Sequence, residues 1–260
     1  MLLGVNIDHI AVLREARKIN DPDPLDALGI VKRAGGDQIT IHLREDRRHI
    51  VDSDAKKIVQ NSQLPVNMEC SINPEIIDII CSLKPHRATL VPEKREEVTT
   101  EGGLDVIKYF TEINDAVKKL KDNEIDVSLF VDPDFEIISA CADTEADMIE
   151  LHTGAYANIY AMLYTNLRFT HHSIKELELS RKELTEKLST ALGEIENSAI
   201  YGKKAGLEVA AGHGLNYQNV KAVADIEDII ELNIGQSIIA RSVWVGLEEA
   251  VREMVKIIRS

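Results

Sequence analysis

The sequence predicts an α/β fold, a single (β/α)₈ TIM barrel spanning residues 1–260 as one domain, and three observations predict it. Short apolar runs of strand length recur along the whole chain. Helical patterns with a spacing near 3.6 fall between most of them, as parallel βα units require. The chain has 260 residues, close to the roughly 250 typical of one such barrel, and no Pro- or Ser-rich linker divides it.

The first four strands are expected at Leu2–Asp8, Gln38–Leu43, Pro65–Cys70 and Arg87–Pro92. Four more follow at Asp126–Val131, Met148–Thr153, Glu208–Gly214 and Ile229–Gly235. Helices are expected at Pro24–Ala34, Pro74–Leu83 and Leu104–Lys121, and an extended helical segment separates strands 6 and 7. Side chains alternate faces along a strand, so each strand's parity can be read directly. In strand 1, Leu3, Val5 and Ile7 oppose Asn6 and Asp8; in strand 2, Ile39, Ile41 and Leu43 oppose Thr40 and His42. Strand 3 sets Val66 and Met68 against Asn67 and Glu69, and strand 6 sets Ile149 and Leu151 against Glu150 and His152. Strand 8 sets Ile230, Leu232 and Ile234 against Glu231, Asn233 and Gly235. The apolar faces suit covering helices, which leaves the polar sets pointing into the lumen. Unpartnered, each such buried group would cost roughly 1–3 kcal/mol. A self-satisfied hydrogen-bond network is one account of them, and a substrate cavity is the better one, because the polar residues gather toward the C-terminal strand ends where such barrels hold their active sites.

Composition excludes several function classes. Lys and Arg total 30 against 44 Asp and Glu, a formal charge of −14, so neither nucleic acid nor an anionic membrane suits as main partner. Cationic contacts to a phosphorylated substrate must then be concentrated locally. Cys70, Cys81 and Cys141 form no CxxC pair and read as reduced thiols of a cytoplasmic protein. The start Met1-Leu2-Leu3-Gly4-Val5-Asn6-Ile7-Asp8 is not expected to be a signal peptide, and no run approaches the ~18 apolar residues of a membrane span.

Several segments carry chemistry. Asn6-Ile7-Asp8-His9-Ile10 sets a carboxylate beside an imidazole, suited to orienting the hydroxyls and carbonyl of a sugar-like substrate, and Arg17 downstream is a candidate phosphate ligand. His42-Leu43-Arg44-Glu45-Asp46-Arg47-Arg48-His49 places a histidine at a strand end and then three arginines, whose guanidinium forks bind phosphate. Arg44 and His49 are expected to face the cavity, with Arg47 and Arg48 solvated. His42 suits proton transfer near neutral pH, and Glu69 is a candidate general base. The loop from Pro92 to Gly103 has the composition of a lid, with Thr99 as its candidate contact. Ala211-Gly212-His213-Gly214 and Asn233-Ile234-Gly235-Gln236-Ser237 follow strands 7 and 8, the common phosphate site of this architecture. Small residues there let backbone N–H groups approach an anion, and His213 between two glycines suits a general acid. No metal cluster stands out, and the adjacent His171-His172 reads as surface.

At these residues the chain resembles the pyridoxine 5′-phosphate synthase family of deoxyxylulose-dependent vitamin B6 biosynthesis. Gly4 through Ile10, His42 through Ile50, Leu90 through Asp105, Ala211 through Gly214 and Glu231 through Gly235 carry the match. The resemblance implies condensation of 3-amino-2-oxopropyl phosphate with 1-deoxy-D-xylulose 5-phosphate, giving pyridoxine 5′-phosphate, phosphate and water. It implies His42 and Glu69 as proton acceptors and His213 as proton donor. Asp8, His9, Arg44, His49 and Thr99 match deoxyxylulose phosphate contacts; Asn6, Arg17, Gly214, Gly235 and Gln236 match aminoketone phosphate contacts. Glu150 is a further candidate for the cavity. The resemblance implies no metal or organic cofactor, small phosphorylated substrates as the only partners, and a homo-octamer built as a tetramer of dimers.

Two departures stand out. Residue 236 is Gln where a histidine is expected in many relatives, and the segment from Ala157 to Gly206 is longer than the family pattern. Leu177, Leu184, Leu188, Leu192 and Ile195 give that segment an apolar stripe, expected to pack on the barrel or on a neighbouring subunit. Two other readings stay open: an isomerase or aldolase, for which Lys94 is the nearest Schiff-base lysine, and a non-catalytic sensor of phosphorylated metabolites.

Overall fold

The structure is a computed structural model and describes residues 1–93 and 102–260. Eight parallel strands close into a barrel in sequence order: β1 (Leu2–Asn6), β2 (Gln38–His42), β3 (Val66–Cys70), β4 (Arg87–Leu90), β5 (Asp126–Val131), β6 (Met148–His152), β7 (Glu208–Gly212) and β8 (Glu231–Ile234). The helices α1 (Asp8–Arg17), α2 (Ala27–Ala34), α3 (Asp52–Asn61), α4 (Pro74–Leu83), α5 (Phe110–Asp122) and α6 (Phe135–Asp143) lie between the first six strands. They are followed by α7 (Gly154–Tyr164), α8 (Arg181–Lys204), α9 (Val220–Ala224), α10 (Gln236–Val245) and α11 (Leu247–Ile258). The expected (β/α)₈ architecture is therefore the observed one. No helix among the described residues is long and apolar enough to cross a membrane.

Local chemistry explains the starts of three helices. Pro74 opens α4, where its missing N–H is not needed, and the Asn73 side chain accepts from Glu75 N at 3.0 Å. Asp134 caps α6 by accepting from Glu136 N and Ile137 N. Ser180 and Glu183 form a capping box at the start of α8, each accepting the other's backbone N–H.

Several expected boundaries move; β4, β7 and β8, for example, are shorter than the runs that announce them. The first strand stops at Asn6 rather than Asp8, because Asp8 opens α1, and Arg17 lies on the last turn of that helix. The helix expected from Leu104 starts at Phe110. Leu104 N donates instead to Phe130 O on β5, and Asp105 caps a turn at Lys108 N, so these residues bind the sheet and cannot continue a helix. The expected extended helical segment between β6 and β7 consists of two helices, α7 and α8, joined through short turns at Leu167–Phe169 and Lys175–Leu177. Leu184 and Ile195 are buried and Leu188 and Leu192 pack against the same core, so the apolar stripe of α8 packs on the barrel.

The core lies between the outer faces of the strands and the helices. Leu3, Val5, Ile39, Ile41, Met68, Leu129, Leu151 and Leu232 there are fully buried. Inside, the lumen is polar, as strand parity predicts, and it is divided in two. Its lower part is a hydrogen-bonded network. Gln38 Nε2 donates to Glu231 at 3.0 Å, Arg87 Nη1 donates to both Glu231 oxygens at 2.9 and 3.0 Å, Asn233 Nδ2 donates to Glu150 at 2.8 Å, and Thr40 Oγ1 donates to Asn233 at 3.1 Å. The upper part opens into a cavity that Glu150 and Asn233 also line, so both accounts of the polar lumen apply and the two layers share these residues.

Candidate active site

A cavity of about 580 Å³ occupies the C-terminal mouth of the barrel, lined by strand ends and the loops that follow them. His42, Glu69 and His213 all reach it, together with Asn6, His9, Arg44, Glu150, Gly214, Gly235 and Gln236. Parallel register makes the first pairing: His42 on β2 stands opposite Glu69 on β3, and their side chains approach to 3.7 Å between Nδ1 and Oε2. His42 is pinned from two further directions. Its backbone N–H donates to Asp8 Oδ1 at 2.9 Å, and its ring Nε2 lies 2.9 Å from Glu93 Oε1.

Burial shapes the carboxyl groups. It pushes Glu69 well above the usual carboxylate range, and the negative charges of Glu150 and Asp8 push the same way. Glu150 is raised to about 8 by burial and then by the charge of Glu231. Asp8 is raised to about 6 by burial, which outweighs the N–H of His42 and the amide of Asn6. Shifts in this direction bring carboxyl groups toward the range in which general acid–base chemistry works.

His213 follows β7 with a left-handed φ of 76°. Its ring packs against His152 at 4.9 Å and Phe130 at 6.2 Å between centroids. Burial, with His152 beside it, lowers its pKa, so a proton placed on it is readily given up. His152 is itself held by Asp132, 3.2 Å from its Nδ1, and Asp132 also accepts from Gly103 N at 3.0 Å. Burial lowers His9, and lowers His49 to about 4 with help from the charges of His42 and Arg44.

Groups of a kind suited to an anion lie around this centre. Gly235 precedes α10, whose first residues, Gln236 and Ser237, line the cavity. A Cβ on Gly235 would stand 2.8 Å from Asn6 Cβ, so glycine is what lets the two strand ends approach. Arg44 Nε and His9 Nδ1 are buried with no hydrogen-bond partner among the described residues, as cavity groups that await a ligand oxygen would be.

The other expected residues fall less centrally. Asp8 stands behind His42, and His49 one layer back, its ring 6.4 Å from that of His42 and its Nδ1 accepting from Ile50 N. Arg47 and Arg48 pair with Asp52 and Asp46 at the surface. Arg17 is exposed on the end of α1 and does not line the cavity. Thr99, Lys94 and most of the expected lid lie outside the described residues. Sequence reasoning passed over Glu93, Phe130 and the Asp132–His152 pair. The inward parity of His152 was a usable signal for it, whereas Glu93 opens a run of charged residues and had none. Among the described residues no group of His, Cys, Asp and Glu has the geometry of a metal site.

Residues 3–260 match the model of the family described as pyridoxal phosphate biosynthesis protein PdxJ. The chain is 77% identical over 258 residues to a pyridoxine 5′-phosphate synthase of a Nitratiruptor species, covering 99% of this chain and 97% of that one. It is 65% identical over 260 residues to the protein of the same name in Aliarcobacter butzleri, with full coverage of both. Among solved structures it is similar in fold to thiamine phosphate pyrophosphorylase from Pyrococcus furiosus, at TM-score 0.59 and 11% identity over 99% and 95% of the two chains. Phosphoribosylanthranilate isomerase from Thermotoga maritima is similar at TM-score 0.58 and 11% identity, over 100% and 98%.

Proposed function

The chain belongs to the pyridoxal phosphate biosynthesis protein PdxJ family, and from that membership we propose that His42, Glu69 and His213 are the acid–base groups of its reaction. The chain is a biosynthetic enzyme, and the reaction is that of a pyridoxine 5′-phosphate synthase: 3-amino-2-oxopropyl phosphate condenses with 1-deoxy-D-xylulose 5-phosphate. The observation that carries the assignment of residues is the convergence of these three side chains on one cavity flanked by anion-binding groups.

The chemistry fits that convergence. An amine and a ketone join as an imine, protons leave carbon, water and phosphate depart, and a pyridine ring closes. Several proton transfers in sequence need several groups that alternate roles, each contributing about 10²–10⁴-fold. His42 and Glu69, side by side, accept protons; His213, from the far side of the barrel at the end of β7, donates one to a departing oxygen. Arg44, with Asp8, His9 and His49 around it, holds the deoxyxylulose phosphate. Backbone N–H groups at Gly214, Gly235 and Gln236, with the side chain of Asn6, hold the aminoketone phosphate, favoured by the N-terminus of α10. Gln236 donates a hydrogen bond there in place of a histidine. Roles for Arg17 and Thr99 rest on the family pattern alone. The homo-octamer and the cytoplasmic location rest on the family as well; the exposed Val243 and Trp244 on α10 and Leu13 on α1 supply an apolar surface for subunit contact, and all three cysteines are free.

The test mixes purified protein with both substrates and follows pyridoxine 5′-phosphate. His42→Ala and Glu69→Gln should each lose at least about 10²-fold in kcat while still binding the phosphorylated substrates. Full activity in either variant would remove that residue from the mechanism, and a wild-type protein that binds both substrates without turnover would make the chain a sensor.

A further inference from the structure

Among the described residues two carboxylates face the His42 imidazole, and only Glu69 has a part in the chemistry above. The other, Glu93, follows β4 at the start of the loop and turns its side chain back toward the ring. Its Oε1 lies 2.9 Å from His42 Nε2. Its Oε2 accepts from Glu45 N at 3.1 Å and stands 3.6 Å from the Arg44 guanidinium. The side chain is only 4% exposed. Burial works against its charge, but the hydrogen bond from His42, the charge His42 carries when protonated, the N–H of Glu45 and the charge of Arg44 outweigh it and hold the group below the usual carboxylate value.

An ionised carboxylate only accepts hydrogen bonds, so the ring nitrogen against it must carry the proton. A neutral imidazole with its proton on Nε2 has its lone pair on Nδ1, the atom turned toward Glu69. We propose that Glu93 is a positioning residue that holds His42 as the Nε2–H tautomer and so makes Nδ1 the basic atom of the site. The inference rests on the reading of His42 as a proton acceptor. In the step it supports, Nδ1 takes a proton from a substrate carbon next to the imine, the C–H electron pair passes into the substrate's π system, and the imidazolium so formed lies against the Glu93 carboxylate. The backbone bond from His42 N to Asp8 fixes the strand end while Glu93 fixes the ring, so the two carboxylates divide the task.

Glu93→Gln tests this without removing bulk. A glutamine can turn its amide N–H toward Nε2 and select the other tautomer, placing the proton on Nδ1. With purified full-length protein, kcat should fall about a hundredfold or more while KM for the aminoketone phosphate, whose site does not include the Arg44 beside Glu93, stays within about threefold. Glu93→Asp, which keeps the charge, should recover part of kcat. ¹⁵N spectra of the imidazoles in the wild type, assigned with His42→Gln, should show His42 as the Nε2–H tautomer, and that signature should be lost in Glu93→Gln. A kcat within about twofold of wild type in Glu93→Gln, or an Nδ1–H tautomer in the wild type, overturns the proposal. Absence of product from the wild type would instead strike the functional reading, and the tautomer would still decide what Glu93 does.

Discussion

Replacing Glu150 by Gln should stabilise the protein, by an amount that grows with pH. The Glu150 carboxyl is buried in the lumen, where burial and then the charge of Glu231 raise it from 4.5 to about 8, against the opposing hydrogen bond from Asn233. Below about pH 4.5 folded and unfolded chains both hold the proton, and the group costs nothing on this account. Between 4.5 and about 8 the folded protein keeps a proton that the unfolded chain has released, so stability falls as pH rises. Above about 8 both states are ionised and the full penalty is present. At ~1.4 kcal/mol for each tenfold change in protonation, the displacement sets an upper bound of about 5 kcal/mol. Gln carries no charge at any pH, and its carbonyl can still accept from Asn233 Nδ2, which is 2.8 Å from the carboxylate in the wild type. Urea unfolding of wild type and Glu150→Gln at about pH 5 and at about pH 8.5 measures the difference, which should widen by a few kcal/mol in favour of the variant. A difference that stays flat across this window would refute the account of a carboxyl held protonated by burial.

Arg87→Ala should be strongly destabilising, because it leaves the buried Glu231 carboxylate without the guanidinium that donates to both its oxygens. A loss of about 3–5 kcal/mol is expected in urea unfolding, and a loss under about 1 kcal/mol would show that the lumen network does not depend on the pair. Gly235→Ala should raise KM for the aminoketone phosphate at least about tenfold, since its Cβ would meet Asn6 Cβ at 2.8 Å and Asn6 O at 3.0 Å and push β8 away from β1 at the cavity rim. An unchanged KM would show that this rim does not shape the phosphate site.

The parts legible in the chain were those set by periodicity. Alternation along β1, β2, β3, β6 and β8 separated the lumen face from the helix-covered face, because a strand in a barrel has one side under helices and one in the interior. His42, Glu69 and His213 each stand at or just beyond a strand end, a placement readable from the chain, and the parallel register sets His42 beside Glu69. Helix limits governed by local capping, as at Asn73-Pro74, were equally readable. The limit at Phe110 was not, because Leu104 is drawn away from the helical pattern by a hydrogen bond to Phe130 O, a partner distant in sequence.

Local order in the chain thus decides which side chains enter the barrel and at which end of it they stand, since that depends on a repeat of two within each strand. Which of them become partners is decided by tertiary pairing. Arg87 on β4 meets Glu231 on β8 across the closed barrel, Glu93 after β4 reaches His42 on β2, and Asp132 meets His152 where β5 pairs with β6, bringing together groups separated by 144, 51 and 20 residues. Charge pairs and tautomers are properties of distance in space, and no spacing along one strand carries that distance.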